Sequence, residues 1–113
     1  LSRQIPMKQA MGMILTGRRV MAEEGYKLGF VTEVVPEGGA LEGARRWAEL
    51  ILECSPVSIR TSKDVVLRGQ QYASADQAIA AEYQSVVDMR NSLDFIEGPL
   101  AFSEKRAPDW KGR

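Results

Sequence analysis

A mainly α-helical chain with at most one or two short strands is expected from two features of this 113-residue sequence. Apolar residues recur at helical spacing over most of its length, and residues suited to helix caps stand where those runs begin and end. Only one stretch, Phe30-Val31-Thr32-Glu33-Val34-Val35, is rich in β-branched and aromatic residues, and Pro36 closes it.

Taken in order, Pro6 suits the first turn of a helix, and Met7 to Leu15 are mostly good helix formers, interrupted by Gly12. Thr16-Gly17 ends that helix, with Gly17 as a left-handed cap. A short helix over Ala22 to Leu28 follows and stops at Gly29; Gly25 inside it costs roughly 1 kcal/mol relative to alanine. The run from Phe30 to Val35 then reads as a strand. It needs a partner, since one strand cannot form a sheet and even a lone hairpin is marginal in water. With Leu1 in place of an initiator methionine, that orphan strand makes the sequence read as part of something longer.

After Gly38-Gly39 the pattern is helical to the end. Ala44, Trp47, Ala48, Ile51 and Leu52 line one helix face. Ser55 caps the next helix with Pro56 at its first position, and Ile59, Val66 and Leu67 carry it to about Gly69. Ser74 caps a longer helix through Met89, whose apolar side is Ala75, Ile79, Tyr83, Val86 and Val87. Ser92 and Asp94 open a short helical turn, Gly98-Pro99 breaks it, and Leu100 to Arg106 form a last one. The expected organisation is a leading segment over 1–36 (helix, short helix, strand) and a helical domain over 37–113.

Composition narrows the function. Fifteen basic residues balance fifteen acidic ones, so no global field draws in nucleic acid or an anionic membrane. The same balance disfavours a helix-turn-helix DNA binder. Histidine is absent, which removes the commonest general base and transition-metal ligand. Cys54 is alone, so neither an internal disulfide nor a thiolate cluster can form, and no metal site is expected. With no signal peptide or long apolar run in view, the expected location is the cytoplasm.

Several constellations have a plain and a chemical reading. Met7, Met11 and Met13 are read as helix core rather than a flexible ligand pocket. Cys54, with no histidine to activate it, is read as a small buried apolar residue. Glu23 and Glu24 are adjacent on a helix, point apart, and are read as solvated. Asp94 and Glu97 are read as capping and dipole partners near a helix start, not as an acid/base pair. Lys63 is read as snorkelling from a buried stem, and Arg45-Arg46 as a solvated face. Lys105-Arg106, close to Phe102 and Trp110, could meet a nucleotide, the ring on the base and the cation on phosphate. From chemistry alone a surface charge pair is the preferred reading there.

The spaced elements of the tail, Ser92-x-Asp94-x-x-Glu97-Gly98-x-x-Ala101-Phe102-x-Glu104-Lys105-Arg106-x-Pro108-x-Trp110, resemble the C-terminal signature of the enoyl-CoA hydratase/isomerase (crotonase) family. Upstream, Leu15-Thr16-Gly17-Arg18, Ala22-Glu23, Gly29-Phe30-Val31, Val34-Val35-Pro36 and Ser55-Pro56 with Lys63 continue the similarity in order. The resemblance implies the C-terminal helical (trimerisation) region of the crotonase fold. It also implies a parent enzyme acting on an acyl-CoA thioester, foremost hydration of a 2-enoyl-CoA or double-bond isomerisation. In that family two backbone N–H groups form an oxyanion hole for the enolate, and acidic residues move protons. Those segments precede the part resembled here, so no catalytic residue is assigned and this chain alone is expected to be inactive. The family's C-terminal helices build a trimer, often paired into a hexamer, and reach coenzyme A, commonly on a neighbouring subunit. By position the substrate-binding residues are Phe102, on the adenine or pantetheine region, and Lys105, on phosphate; Arg106 pairs with an upstream carboxylate. Coenzyme A belongs to the substrate, so no separate cofactor is implied. Gly25 departs from the alanine many relatives carry, which is expected to loosen that helix. A non-catalytic helical self-association module is the alternative.

Overall fold

The computed structural model describes residues 1–113, which group into two compact units, Leu1–Arg46 and Trp47–Arg113. Seven helices and no strand make up the regular structure, and no helix is long and apolar enough to cross a membrane. The division expected at 36/37 falls earlier in the chain than the boundary between the units.

In the first unit, α1 (Met7–Thr16) ends at Gly17, whose φ of 60° is open to glycine at little cost, and the Gly17 N–H returns to the Met13 carbonyl at 3.0 Å. Ile5, Ala10 and Met13 are buried together, with Val20, Leu28 and Phe30 packed against them. Only one of the three methionines is therefore core. Met13 shares a helix face with Ala10 three residues before it, whereas Met7 and Met11, four apart on another face, are exposed. Helix α2 (Ala22–Leu28) carries Glu24, which takes the Arg18 guanidinium in a two-pronged pair (2.9 Å on one side), so this residue is paired rather than freely solvated.

The stretch from Phe30 to Val35 is not a strand. With no second strand to pair with, its first N–H groups turn back instead: Phe30 and Val31 both donate to the Gly25 carbonyl, at 3.1 and 3.2 Å. That return path explains Gly25. A Cβ on it would lie 2.6 Å from Val31 Cγ2 and 3.0 Å from the Phe30 ring. The missing methyl group lets the chain fold onto the helix, so glycine here tightens the packing rather than loosening it. Further on, Arg46 reaches Glu33 and Val35 packs beside Gly43 of α3 (Ala40–Leu52).

In the second unit, α4 (Pro56–Gly69) packs against α5 (Ala75–Ala80) and α6 (Gln84–Arg90), and α6 packs against α7 (Leu93–Glu104). Ser55 and Ser74 cap as expected, accepting from the Ser58 and Gln77 N–H groups, each at 3.2 Å. The helix expected over Ser74 to Met89 is instead two. Ala81 is extended, which brings Tyr83 into the core at 8% exposure. There its hydroxyl donates to the Ala78 carbonyl at 2.9 Å, supplying a partner at the end of α5, and its ring meets Tyr72 edge to face. Burying one large ring outweighs continuing the helix.

Two smaller corrections follow from exposure. Cys54 is not buried: it lies just past α3, exposed, its thiol donating weakly to the Leu50 carbonyl. Lys63 is likewise exposed on α4. Large apolar side chains are also left open on α3 (Trp47, Leu50, Ile51) and on α7 (Leu93, Phe95, Ile96).

Gly25→Ala tests the account of the first unit. Helix propensity alone favours alanine by about 1 kcal/mol. The clash with the stiff Val31 side chain should outweigh it and leave the variant about 1–2 kcal/mol less stable in chemical denaturation.

Candidate functional site

Helix α7 and the tail that follows it form the chemically richest part of the chain. Ser92 caps α7, its hydroxyl oxygen accepting from the Phe95 N–H at 3.2 Å. The helix runs straight through Gly98-Pro99, where a break was expected. Proline costs one intrahelical hydrogen bond at this position, and the helix continues to Glu104 without it. The Trp110 ring lies against Gly98, where a Cβ would stand 3.4 Å from it, an ordinary contact distance.

Beyond α7 the chain doubles back along it. Asp109 N–H donates to Glu97 Oε1 at 2.6 Å, and Lys111 N–H donates to Asp94 Oδ1 at 2.7 Å. Gly112 N–H donates to Asp94 Oδ1 at 3.1 Å, and the Leu93 N–H closes the run on the Arg113 carbonyl at 2.8 Å. Trp110 Nε1 donates to the Glu53 carbonyl and Arg60 to the Gly112 carbonyl, both at 2.9 Å, which ties the tail to the α3–α4 connection and to α4 itself. Asp94 and Glu97, one helical turn apart, are the two hooks. Their expected role as caps of their own helix belongs to Ser92 instead.

The hooks are fully committed. Asp94 is 4% exposed and also accepts the Ser55 hydroxyl at 2.7 Å. Burial works to raise its pKa, but the Ser55 hydroxyl and the Lys111 and Gly112 N–H groups outweigh it, with Arg60 adding attraction, so it stays below the usual carboxylate value. Glu97 is held down to about 2, first by the Arg106 guanidinium and then by the Asp109 N–H. Arg106 grips both Glu97 oxygens, at 2.6 and 3.0 Å, and donates through Nε to Glu104 at 2.6 Å. Ionised at neutral pH, with their lone pairs taken, neither carboxylate has a proton to give. They are structural, and no cluster of three metal-ligating side chains occurs elsewhere.

Of the residues singled out in the sequence, Phe102 lies on α7 at 87% exposure and Lys105 forms its C-terminal cap in the left-handed conformation. They share one turn: the Lys105 N–H donates to the Phe102 carbonyl at 3.2 Å. Lys105 makes no ion pair, while Arg106 pairs with the upstream carboxylate as expected. What sequence reasoning missed is the clasp itself. The one-turn spacing of Asp94 and Glu97 was the available signal, because it puts both on one helix face.

Residues 1–113 all match the family described as Enoyl-CoA hydratase/isomerase. The chain belongs to that family. It is 36% identical to carnitinyl-CoA dehydratase of Salmonella typhi over its whole length, covering 44% of that protein. The fold agrees: the enoyl-CoA hydratase of Mycobacterium tuberculosis H37Rv superposes with a TM-score of 0.92 at 33% identity, over 100% of this chain and 44% of that one. The Bacillus anthracis enoyl-CoA hydratase gives 0.89 at 34%, over 99% and 43%. The chain thus spans less than half the length of these relatives, and its helical array matches a helical region of the crotonase fold.

The clasp has an acid signature. Glu97 titrates lower folded than unfolded, so its stabilising effect is complete above the ordinary carboxylate pKa of about 4.3 and fades as pH falls toward about 2. Asp94 acts in the same direction. Melting temperature should therefore drop between about pH 4.5 and pH 2, and Glu97→Gln should flatten that drop in a pH series followed by circular dichroism.

Proposed function

We propose that this chain is the C-terminal part of a crotonase-family enzyme of the cytoplasm that processes an acyl-CoA thioester. In this reading it supplies subunit association and contacts to coenzyme A. The reaction, hydration of a 2-enoyl-CoA or isomerisation of its double bond, is carried by an oxyanion hole and acidic residues in the rest of the protein. The observation that carries the reading is the pairing, on one turn of α7, of an almost fully exposed aromatic ring with an unpaired ammonium group. A flat ring suits the adenine or pantetheine part of coenzyme A, and the ammonium suits its phosphates. Neither side chain is held by another residue of the chain, so both are free for a ligand. A chain that matches one acyl-CoA family along its entire length supports the same assignment. Phe102→Ala and Lys105→Ala, made in the full-length enzyme, should each weaken coenzyme A binding by about tenfold in titration calorimetry. Unchanged affinity in both would remove the ligand-contact role.

The open apolar faces on α3 and α7 favour the second half of the proposal, homo-oligomer formation as a trimer or hexamer. They equally suit the alternative of a non-catalytic self-association module. Purified 113-residue protein should scatter light as an oligomer and should not turn over crotonyl-CoA. A monomer at high concentration would count against association, and measurable turnover against the placement of catalysis elsewhere.

A further inference from the structure

Lys105 is the only non-glycine residue with a positive φ, 54°, and it occupies the place where a helix normally ends on glycine. The turn is of the Schellman type. Lys105 N–H goes to the Phe102 carbonyl at 3.2 Å, and Arg106 N–H goes to the Ala101 carbonyl at 3.1 Å. A long cationic side chain in a strained backbone position is held there by its surroundings. What holds it is the next residue. Arg106 is forked onto Glu97 and joined to Glu104, so the turn is pinned on both sides of Lys105. The same two contacts occupy the carboxylates of Glu97 and Glu104, leaving the Lys105 ammonium with no acidic partner of its own.

We propose that Glu97 and Arg106 are positioning residues for Lys105: they fix its left-handed turn and absorb the neighbouring carboxylates, so that its ammonium group stays available to a phosphate-bearing ligand. The proposal rests on the coenzyme A reading above and deepens it. Without Arg106 engaged, Glu104, adjacent in sequence, could take the lysine, and without Glu97 the turn would lose its anchor to the helix face.

A mutant cycle in the full-length enzyme tests this, with coenzyme A and phosphate-free pantetheine as the two probes. Glu97→Gln keeps the side-chain shape and removes the charge. It should weaken coenzyme A binding by about fivefold, leave pantetheine binding unchanged, and cost nothing further once Lys105→Ala is present. Equal losses from Glu97→Gln with and without Lys105, or no loss where Lys105→Ala alone is weakened, would overturn the positioning role while sparing the ligand reading. If Lys105→Ala itself leaves coenzyme A affinity intact, the ligand reading falls instead. Should Glu97→Gln fail to fold, as judged by its melting curve, Arg106→Lys carries the same cycle, since it keeps the charge but loses the fork.

Discussion

Asp94 stands where three stretches of chain meet, and the second unit is arranged around satisfying it. Its carboxylate is almost fully buried yet touches no cation directly; hydroxyl and backbone N–H groups hold it instead. Burying an ionised carboxylate is costly unless nearly every lone pair is filled. Ser55 therefore does double duty, capping α4 with one side of its hydroxyl oxygen and donating its proton to Asp94. The tail is ordered for the same reason, because the Lys111 and Gly112 N–H groups complete the set. Glu97 repeats the arrangement one turn along, at the surface, where a guanidinium takes the place of the serine. One turn of helix thus fixes the start of α4, the course of α7 and the path of the last seven residues.

The two ends of α7 are built for opposite purposes. At its start Ser92 and Asp94 are buried and their polar atoms are matched, though Leu93, Phe95 and Ile96 beside them stay exposed. Its last turn is open, with Phe102 in solvent, Lys105 unpaired, and a backbone geometry that costs about 1–2 kcal/mol for an L residue. At that end the ring and the ammonium group extend into solvent, while the backbone turn beneath them is closed by its own hydrogen bonds and by Arg106 on Glu97.

Local signals were legible where one residue decides the outcome. Gly17, Ser55 with Pro56, Ser74 and Ser92 each marked a real helix boundary, because a cap is chosen by groups within four residues. Errors arose where the deciding partner was distant. Phe30 to Val35 has strand composition, but a strand exists only by pairing, and its N–H groups found Gly25 instead. Gly98-Pro99 looked like a stop, but α7 continues through it, with the Trp110 ring, twelve residues on, lying against Gly98. Ala81 to Tyr83 broke a periodic helix because a buried ring was worth more than another turn. Asp94 and Glu97 were visible as a pair, but their donors lie in a tail whose return path no local pattern encodes. Phe102 and Lys105 were located by family resemblance; composition and spacing alone left them as a surface pair.

Trp110 carries one more consequence. Its indole lies against Gly98 on one side and donates to the Glu53 carbonyl, so its environment changes as soon as the tail lifts from α7. The chain therefore contains a fluorophore mounted on its own latch. With Trp47, the other tryptophan, replaced by phenylalanine, emission from that ring alone reports whether the tail is seated on α7.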